Sequence, residues 1–359
     1  MKKLLLLIIP VLVYNTDVIS QGCIPVRSLN GFGQYNLTNN TFSTADWQLN
    51  LTNRYFQSSR DFKETVDQKT PKQNKTLNET YTLDFSLTRL LKNGWSVNMS
   101  IPINANARTT SFEHGGPNTP RRTTHSFGAG DLRIALYKWL IKPVDKQKWN
   151  VQLGLGIKFA TGDYKYEDYF YRNDTTKVLS YVNPGIQLGD GGTGIITELN
   201  TFYTFSKSVG VYGNFYYLIN PREQNGTTYT FGRTPNPLQV KAGGVESSVP
   251  DVFSIRAGTY VNIDRFSIQG GIRHEGSPVE DLIGGSNGGR RAGYILSVEP
   301  GLVYTAKTTS LYLYVPITID RSIKQNIPDK NITAITGVYT VGNGGSPDYQ
   351  LIVGISIQL

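Results

Sequence analysis

Apolar and polar side chains take turns one by one along several stretches of this chain, and a period of two admits strands and excludes amphipathic helices. Trp95, Val97, Met99, Ile101 and Ile103 alternate with Ser96, Asn98, Ser100, Pro102 and Asn104. Trp149, Val151, Leu153, Leu155, Ile157 and Phe159 repeat the pattern, as do Val211 to Ile219 and Leu311 to Ile319. Tyr349, Leu351, Val353, Ile355, Ile357 and Leu359 share one face at the end of the chain. Each stretch covers about ten residues, the length of a tilted strand across a bilayer. A soluble sandwich also alternates, but its strands are usually shorter, about 5–6 residues.

The alternation predicts strands near 47–56, 79–91, 94–105, 129–141, 148–160, 194–206, 209–220, 251–262, 265–275, 292–305, 309–320 and 348–359. Short turns are expected at Lys92-Asn93-Gly94, Lys142–Gln147, Lys207-Ser208, Ile263-Asp264 and Ala306–Thr308. Long polar loops fill 57–78, 106–128, 161–193, 221–250, 276–291 and 321–347. Alternating short turns and long loops mark bacterial outer-membrane barrels, with the turns in the periplasm. In lipid the sheet must close, because an open edge leaves backbone groups unsatisfied. The expected fold is therefore all-β: a closed antiparallel transmembrane barrel of about twelve strands with both termini on the turn side. Val178–Leu188 and residues 236–245 could add a strand pair and raise the count to 14.

The start of the chain reads as a signal. Lys2 and Lys3 precede the apolar run Leu4–Val13, which is too short to cross a bilayer as a helix. Val18-Ile19-Ser20 suits cleavage before Gln21. This gives a signal peptide at 1–20, a periplasmic N-terminal segment at 21–46 that either plugs the barrel or hangs free, and the barrel at 47–359. Cleavage would remove two lysines and one aspartate from a chain of net charge +9. Cys23 follows a poor lipobox, and as the lone cysteine it allows no internal disulfide. After the leader no apolar run approaches 18 residues, which excludes a helical membrane protein. The expected location is the outer membrane of a Gram-negative cell.

The face opposite the apolar residues carries Arg54, Asp84, Asp131, Arg133, Lys158, Glu198, Arg256, Arg273, Glu275 and Glu299. Five basic and five acidic groups either neutralise one another inside a narrow barrel or form a polar constriction. Gly154, Gly156, Gly271, Gly301 and Gly354 share that face and would leave room for a channel or let the wall bend. Pro102 and Pro316 end similar alternating runs and are expected near the rim, where pairing loosens. Trp47, Tyr55, Tyr81, Trp95, Trp149, Phe205, Phe266, Tyr304 and Tyr349 on the apolar face suit interfacial belts.

Chemistry finds little to work with. His114 and His125 lie in one long loop and His274 neighbours Glu275; all three read as surface residues. A hydrolase needs a nucleophile and base in mutual reach, and no spacing specifies one. The Gly-rich stretches lack the strand, helix and lysine of a phosphate loop. Asp163, Glu167, Asp168 and Asp174 match no calcium-loop spacing. The chain is expected to be no enzyme and to use no cofactor, no metal and no nucleic acid.

GAGDLRIAL at Gly128–Leu136, LGLGIKFATGD at Leu153–Asp163 and VNPGIQLGDG at Val182–Gly191 resemble the phenol-degradation meta-pathway family of outer-membrane barrels. GCIPVRS at Gly22–Ser28 looks like members from Bacteroidetes-type bacteria. The resemblance is clear over roughly 127–220. It implies transport of small, often hydrophobic solutes and supplies no substrate-contacting residue. Ala160 stands where that family often has proline, and Leu359 where many barrels end in an aromatic residue. The leading expectation is a porin-like channel for passive passage of small solutes. Its expected partners are outer-membrane lipid, lipopolysaccharide and the barrel-assembly machinery. A closed structural or adhesive barrel acting through its loops is the alternative.

Overall fold

The computed structural model describes residues 43–144 and 146–359, and the backbone of Gln21–Gly22, Tyr35–Asn36 and Thr41–Phe42. The signal peptide at 1–20, Cys23 and most of the 21–46 segment lie outside the described residues. Twelve staves form one closed antiparallel barrel. They are Trp47–Ser58 (β1), Leu77–Leu90 (β2), Trp95–Thr110 (β3), Arg122–Ala129 with Arg133–Trp139 (β4), Trp149–Lys158 (β5) and Gly194–Thr204 (β6). Val209–Ile219 (β7), Val252–Ile263 (β8), Phe266–Ser277 (β9), Gly293–Ala306 (β10), Thr309–Tyr314 with Ile317–Ile323 (β11) and Gln350–Gln358 (β12) complete it. Each pairs with its neighbour in sequence, and β12 closes on β1 with Gln350 opposite Phe56 and Gln358 opposite Gln48.

The period of two is what the wall needs. Along β1 the inward residues Gln48, Asn50, Thr52 and Arg54 are buried and the intervening ones are not. The outward residues include Trp47, Trp95, Met99, Leu155, Phe266 and Val353, all exposed. In water such a surface would be a liability; against lipid tails it satisfies both wall and solvent. The tight turns use left-handed residues: Asn93 has φ 60, Asp264 φ 51 and Lys307 φ 52. Asn and Asp tolerate that conformation better than most residues.

Two staves break at mid-height, and both expected rim prolines belong to these breaks. Pro102 lies between Ile103, paired with Ala129, and Ser100, paired with Arg133. It therefore faces the gap between the two halves of β4, where Gly130 N donates to the Pro102 carbonyl at 2.8 Å. Pro316 separates the halves of β11. The prolines do sit where pairing loosens, but inside the staves rather than at the rim, because β3 and β11 extend past them to Thr110 and Ile323.

The long connections all lie at one end, and they fold. Glu167–Tyr171 pairs with Lys177–Tyr181 alone, forming a hairpin outside the barrel sheet. Residues 236–245 hold a short helix, Pro237–Ala242 (α1). The 14-strand alternative therefore falls. The segment read as a polar loop over 321–347 contains the helix Ile327–Thr336 (α2), opened by a capping box of Asn326 and Asp329 and closed by Gly337 at φ 72. Arg60–Lys63 pairs with Gly344–Ser346, to which Gln21–Gly22 adds in parallel. Asp46 lies at the opposite end, its carbonyl accepting from Leu90 N at 2.8 Å. Gln21–Gly22 thus lies at the loop end of the barrel and Asp46 at the turn end.

Candidate functional site

The lumen has three levels, each built from the inward face of the staves. All ten charged residues expected inside are buried or half-buried there.

The lower level is lined with aromatic rings, and Trp139, Phe202, Tyr212 and Tyr260 form one buried cluster there. Four of the five inward glycines named above have a tyrosine lying against them. A β-carbon added at Gly354 would come within 2.2 Å of Tyr312 Cζ, and one at Gly301 within 2.4 Å of Tyr314 Cδ1. At Gly154 it would come within 2.5 Å of Tyr137 Cε1, and at Gly271 within 2.9 Å of the Tyr212 hydroxyl oxygen. Gly210 likewise underlies Tyr260. Gly156 is the exception, lying against Ala135. A tyrosine can lie flat along such a wall only where its cross-strand neighbour lacks a side chain. The hydroxyls then find partners: Thr52 for Tyr312 at 2.6 Å, Gln269 Oε1 for Tyr314 at 3.0 Å, and Thr204 for Tyr260 at 2.8 Å. Tyr137 donates to Glu198 at 2.9 Å, and Asn214 donates to the other oxygen of that carboxyl at 3.1 Å.

The middle level is ionic. Glu299 on β10 accepts from Arg256 Nε at 2.8 Å and from Arg273 Nη1 at 2.9 Å. Arg273 Nε donates on to Glu275 at 3.0 Å, and Gln350 on β12 donates to Glu275 at 2.8 Å. The chain links β8, β9, β10 and β12. Across the lumen Arg54 stands 4.0 Å from Asp84, and Lys158 pairs with Asp131 at 3.5 Å and with Asp190. Much of the balanced charge is thus mutual neutralisation, as isolated buried ions demand.

Above lies a cavity of about 230 Å³ under the loops. Arg54, Asp131, Arg133, Lys158 and Glu275 line it, joined by Asp190, Arg290 and Arg291 from loops. The segment 182–190 folds inward to form one side. Val182, Ile186 and Leu188 are buried, and the Ile186 carbonyl accepts from Asn106 Nδ2 at 3.3 Å and from the Ser126 hydroxyl. Leu188 occupies the break in β4: a β-carbon at Gly130 would meet Pro102 Cγ at 2.8 Å and the Leu188 carbonyl oxygen at 2.9 Å. The glycines of the GAGD stretch are therefore the seat of this inserted loop.

The loops are locked to one another over the cavity. Arg108 Nε donates to Glu113 at 2.8 Å, and Asn183 donates to the same oxygen at 2.8 Å. His114 is buried, contrary to the surface position expected for all three histidines; His125 is exposed and His274 half-buried. His114 stacks on Phe170, with ring centroids 5.4 Å apart, and its Nδ1 accepts from Tyr171 N at 3.1 Å. Its carbonyl accepts from Arg172 and Arg233. Burial pulls the imidazole down from 6.5 to about 4, with Arg122, Arg172 and Arg233 adding to the effect and Asp168 opposing it. An opened loop binds the proton more readily, so packing weakens as pH falls from 6.5 towards 4. Amide exchange protection at residues 111–116 is expected to drop by up to about tenfold per pH unit in that window, after correction for intrinsic exchange. In His114→Gln the drop should vanish; flat protection in the wild-type protein would refute the assignment.

Sequence reasoning missed Asp190, Arg290 and Arg291, which lie in loops whose path no periodicity predicts. It also passed over the inward tyrosines, although alternation places Tyr312 and Tyr314 opposite Leu311 and Leu313. Among the described residues no cluster of three His, Cys, Asp or Glu side chains could hold a metal.

No family model matches the sequence, and no curated protein matches it. Among solved structures, an outer membrane channel from Pseudomonas putida F1 superposes with a TM-score of 0.57 at 8% identity, over 90% of this chain and 98% of that chain. A Pseudomonas aeruginosa FadL homologue gives 0.42 at 9% identity, over 94% and 98%. The Pseudomonas putida toluene transporter TodX gives 0.43 at 10% identity, over 94% and 100%. The first shares the barrel fold; the other two are too distant to carry an argument.

Proposed function

We propose that this chain is an outer-membrane channel for passive passage of small solutes, and that it is not an enzyme. The observation that carries the reading is a closed barrel, apolar outside, whose loop-side cavity is walled by charged and amide side chains. Lipid and lipopolysaccharide would surround the apolar belt, and the barrel-assembly machinery would insert it. The 21–46 segment would then be a periplasmic N-terminal segment that either plugs the barrel or hangs free. The fold shared with the Pseudomonas putida channel agrees with transport. The tyrosine-lined lower lumen favours a second reading, a closed barrel acting through its loops. Purified protein in planar bilayers, with liposome swelling for neutral sugars, separates the two. Small discrete conductance steps and slow swelling are expected. Neither conductance nor flux would leave the closed barrel standing.

A further inference from the structure

We infer that the turn end of the barrel holds an anionic phospholipid of the adjoining leaflet, in a cleft between the β2–β3 and β4–β5 turns. The cleft encloses about 280 Å³ beside residues 43–46, which lead into β1. Gly94 lets the two turns meet. It is buried at φ 77, and a β-carbon there would meet Pro143 Cδ at 3.0 Å and Trp139 Cβ at 3.1 Å. Leu90, Leu91 and Pro143 give the cleft apolar walls, and Lys92 and Lys142, both exposed, give it charge.

Two outward indoles flank the cleft, and each carries a cation that reaches a cleft residue. Arg89 on β2 lies 4.9 Å from the centre of the Trp47 ring on β1 and pairs with Asp46 at 3.2 Å. Lys138 on β4 lies 5.0 Å from the centre of the Trp95 ring on β3 and donates to the Asn93 carbonyl. Indoles sit at the membrane interface, and long cationic side chains beside them carry their charge to the headgroups. Attraction to the ring face holds those cations in place. In bacterial barrels the short turns face the periplasm, where the leaflet is phospholipid.

Charge decides which lipid. The two turns and their flanks carry six cations, Arg89, Lys92, Lys138, Lys142, Lys146 and Lys148, against Asp46 and Asp145. Counting also a carboxylate at Leu359, whose backbone pairs with Trp47, the excess is three. Asp46 is the one carboxylate of the cleft lining among the described residues, and Arg89 engages it. A zwitterionic headgroup would bring a further cation into this excess, whereas a glycerol phosphate headgroup brings only the anion. The apolar walls then receive the glycerol and the first methylenes of the chains.

The test uses the full-length protein in detergent, read by native mass spectrometry with equal amounts of phosphatidylglycerol and phosphatidylethanolamine of identical acyl chains. Phosphatidylglycerol is expected to stay bound at least about tenfold more than phosphatidylethanolamine. Lys92→Gln with Lys142→Gln should cut that preference to about threefold or less. Arg265→Gln with Lys307→Gln removes the same charge from exposed positions in the β8–β9 and β10–β11 turns and should leave the preference unchanged. Heat-modifiable gel mobility shows that each variant folds. Equal retention of the two lipids by the wild-type protein would overturn the inference, as would equal losses in the two double variants. Release of the lipid by an about tenfold excess of glycerol phosphate would also overturn it, since a simple anion would then suffice. The readout needs no open pore, so a failure of conductance would leave this inference standing.

Discussion

Gly354→Val is expected to abolish the folded barrel, read as loss of the heat-modifiable band on a semi-native gel. An inserted side chain in an ordinary core costs about 1–3 kcal/mol, because neighbours shift to make room. Here the neighbour is the Tyr312 ring, and a β-carbon at 354 would come within 2.2 Å of its Cζ. The ring has nowhere to go: its hydroxyl is tied to Thr52 at 2.6 Å, and Tyr314 lies beside it at a centroid distance of 6.0 Å. The double variant Gly354→Val with Tyr312→Ala should recover the band, since removing the ring restores the volume. Gly354→Val migrating like the wild-type protein would disprove the packing argument. Gly301→Val against Tyr314 should behave alike.

Glu299→Gln should be the most damaging single charge change in the lumen. One carboxylate there holds two guanidiniums, Arg256 and Arg273, and its side chain is 1% exposed. Removing one partner of a buried pair costs about 3–5 kcal/mol, because the remaining charge stays desolvated. Gln preserves shape and one acceptor oxygen, so the loss reports charge rather than volume. We expect a lower urea midpoint for unfolding from lipid vesicles. A conducting pore should also shift towards anion selectivity, because the lumen gains one net positive charge. Adding Arg256→Met should return much of the stability, as apolar replacement of a buried pair is often tolerated. An unchanged urea midpoint in Glu299→Gln would count against the ionic chain as a stabilising unit.

The staves were legible because the wall obeys one rule. A residue such as Leu313 faces out and Tyr314 faces in for the same geometric reason along every strand. What the rule does not contain is volume. Gly301 and Gly354 read equally well as open space or as seats for rings, and only cross-strand register shows Tyr314 opposite Gly301 and Tyr312 opposite Gly354. Register also moved Pro102 and Pro316 from the rim to mid-stave. The loops escaped for a different reason. Their order comes from tertiary contacts such as Arg233 reaching the His114 carbonyl across 119 residues of sequence. The helix α2 was within reach, since Asn326, Pro328, Asp329 and Gly337 form a start and stop signal. Alternation singled out Lys158, but its partner Asp190 sits in a loop.

Tyr312 has one more consequence, which concerns the seam where the last strand meets the first. The ring starts on β11, passes over Gly354 of β12 and ends on Thr52 of β1. It is a clasp across the junction where the last of the twelve described staves meets the first. Until β12 docks on β1, the hydroxyl has no Thr52 to meet and an insertion intermediate has an open edge. Seating of this one phenol therefore coincides with ring closure.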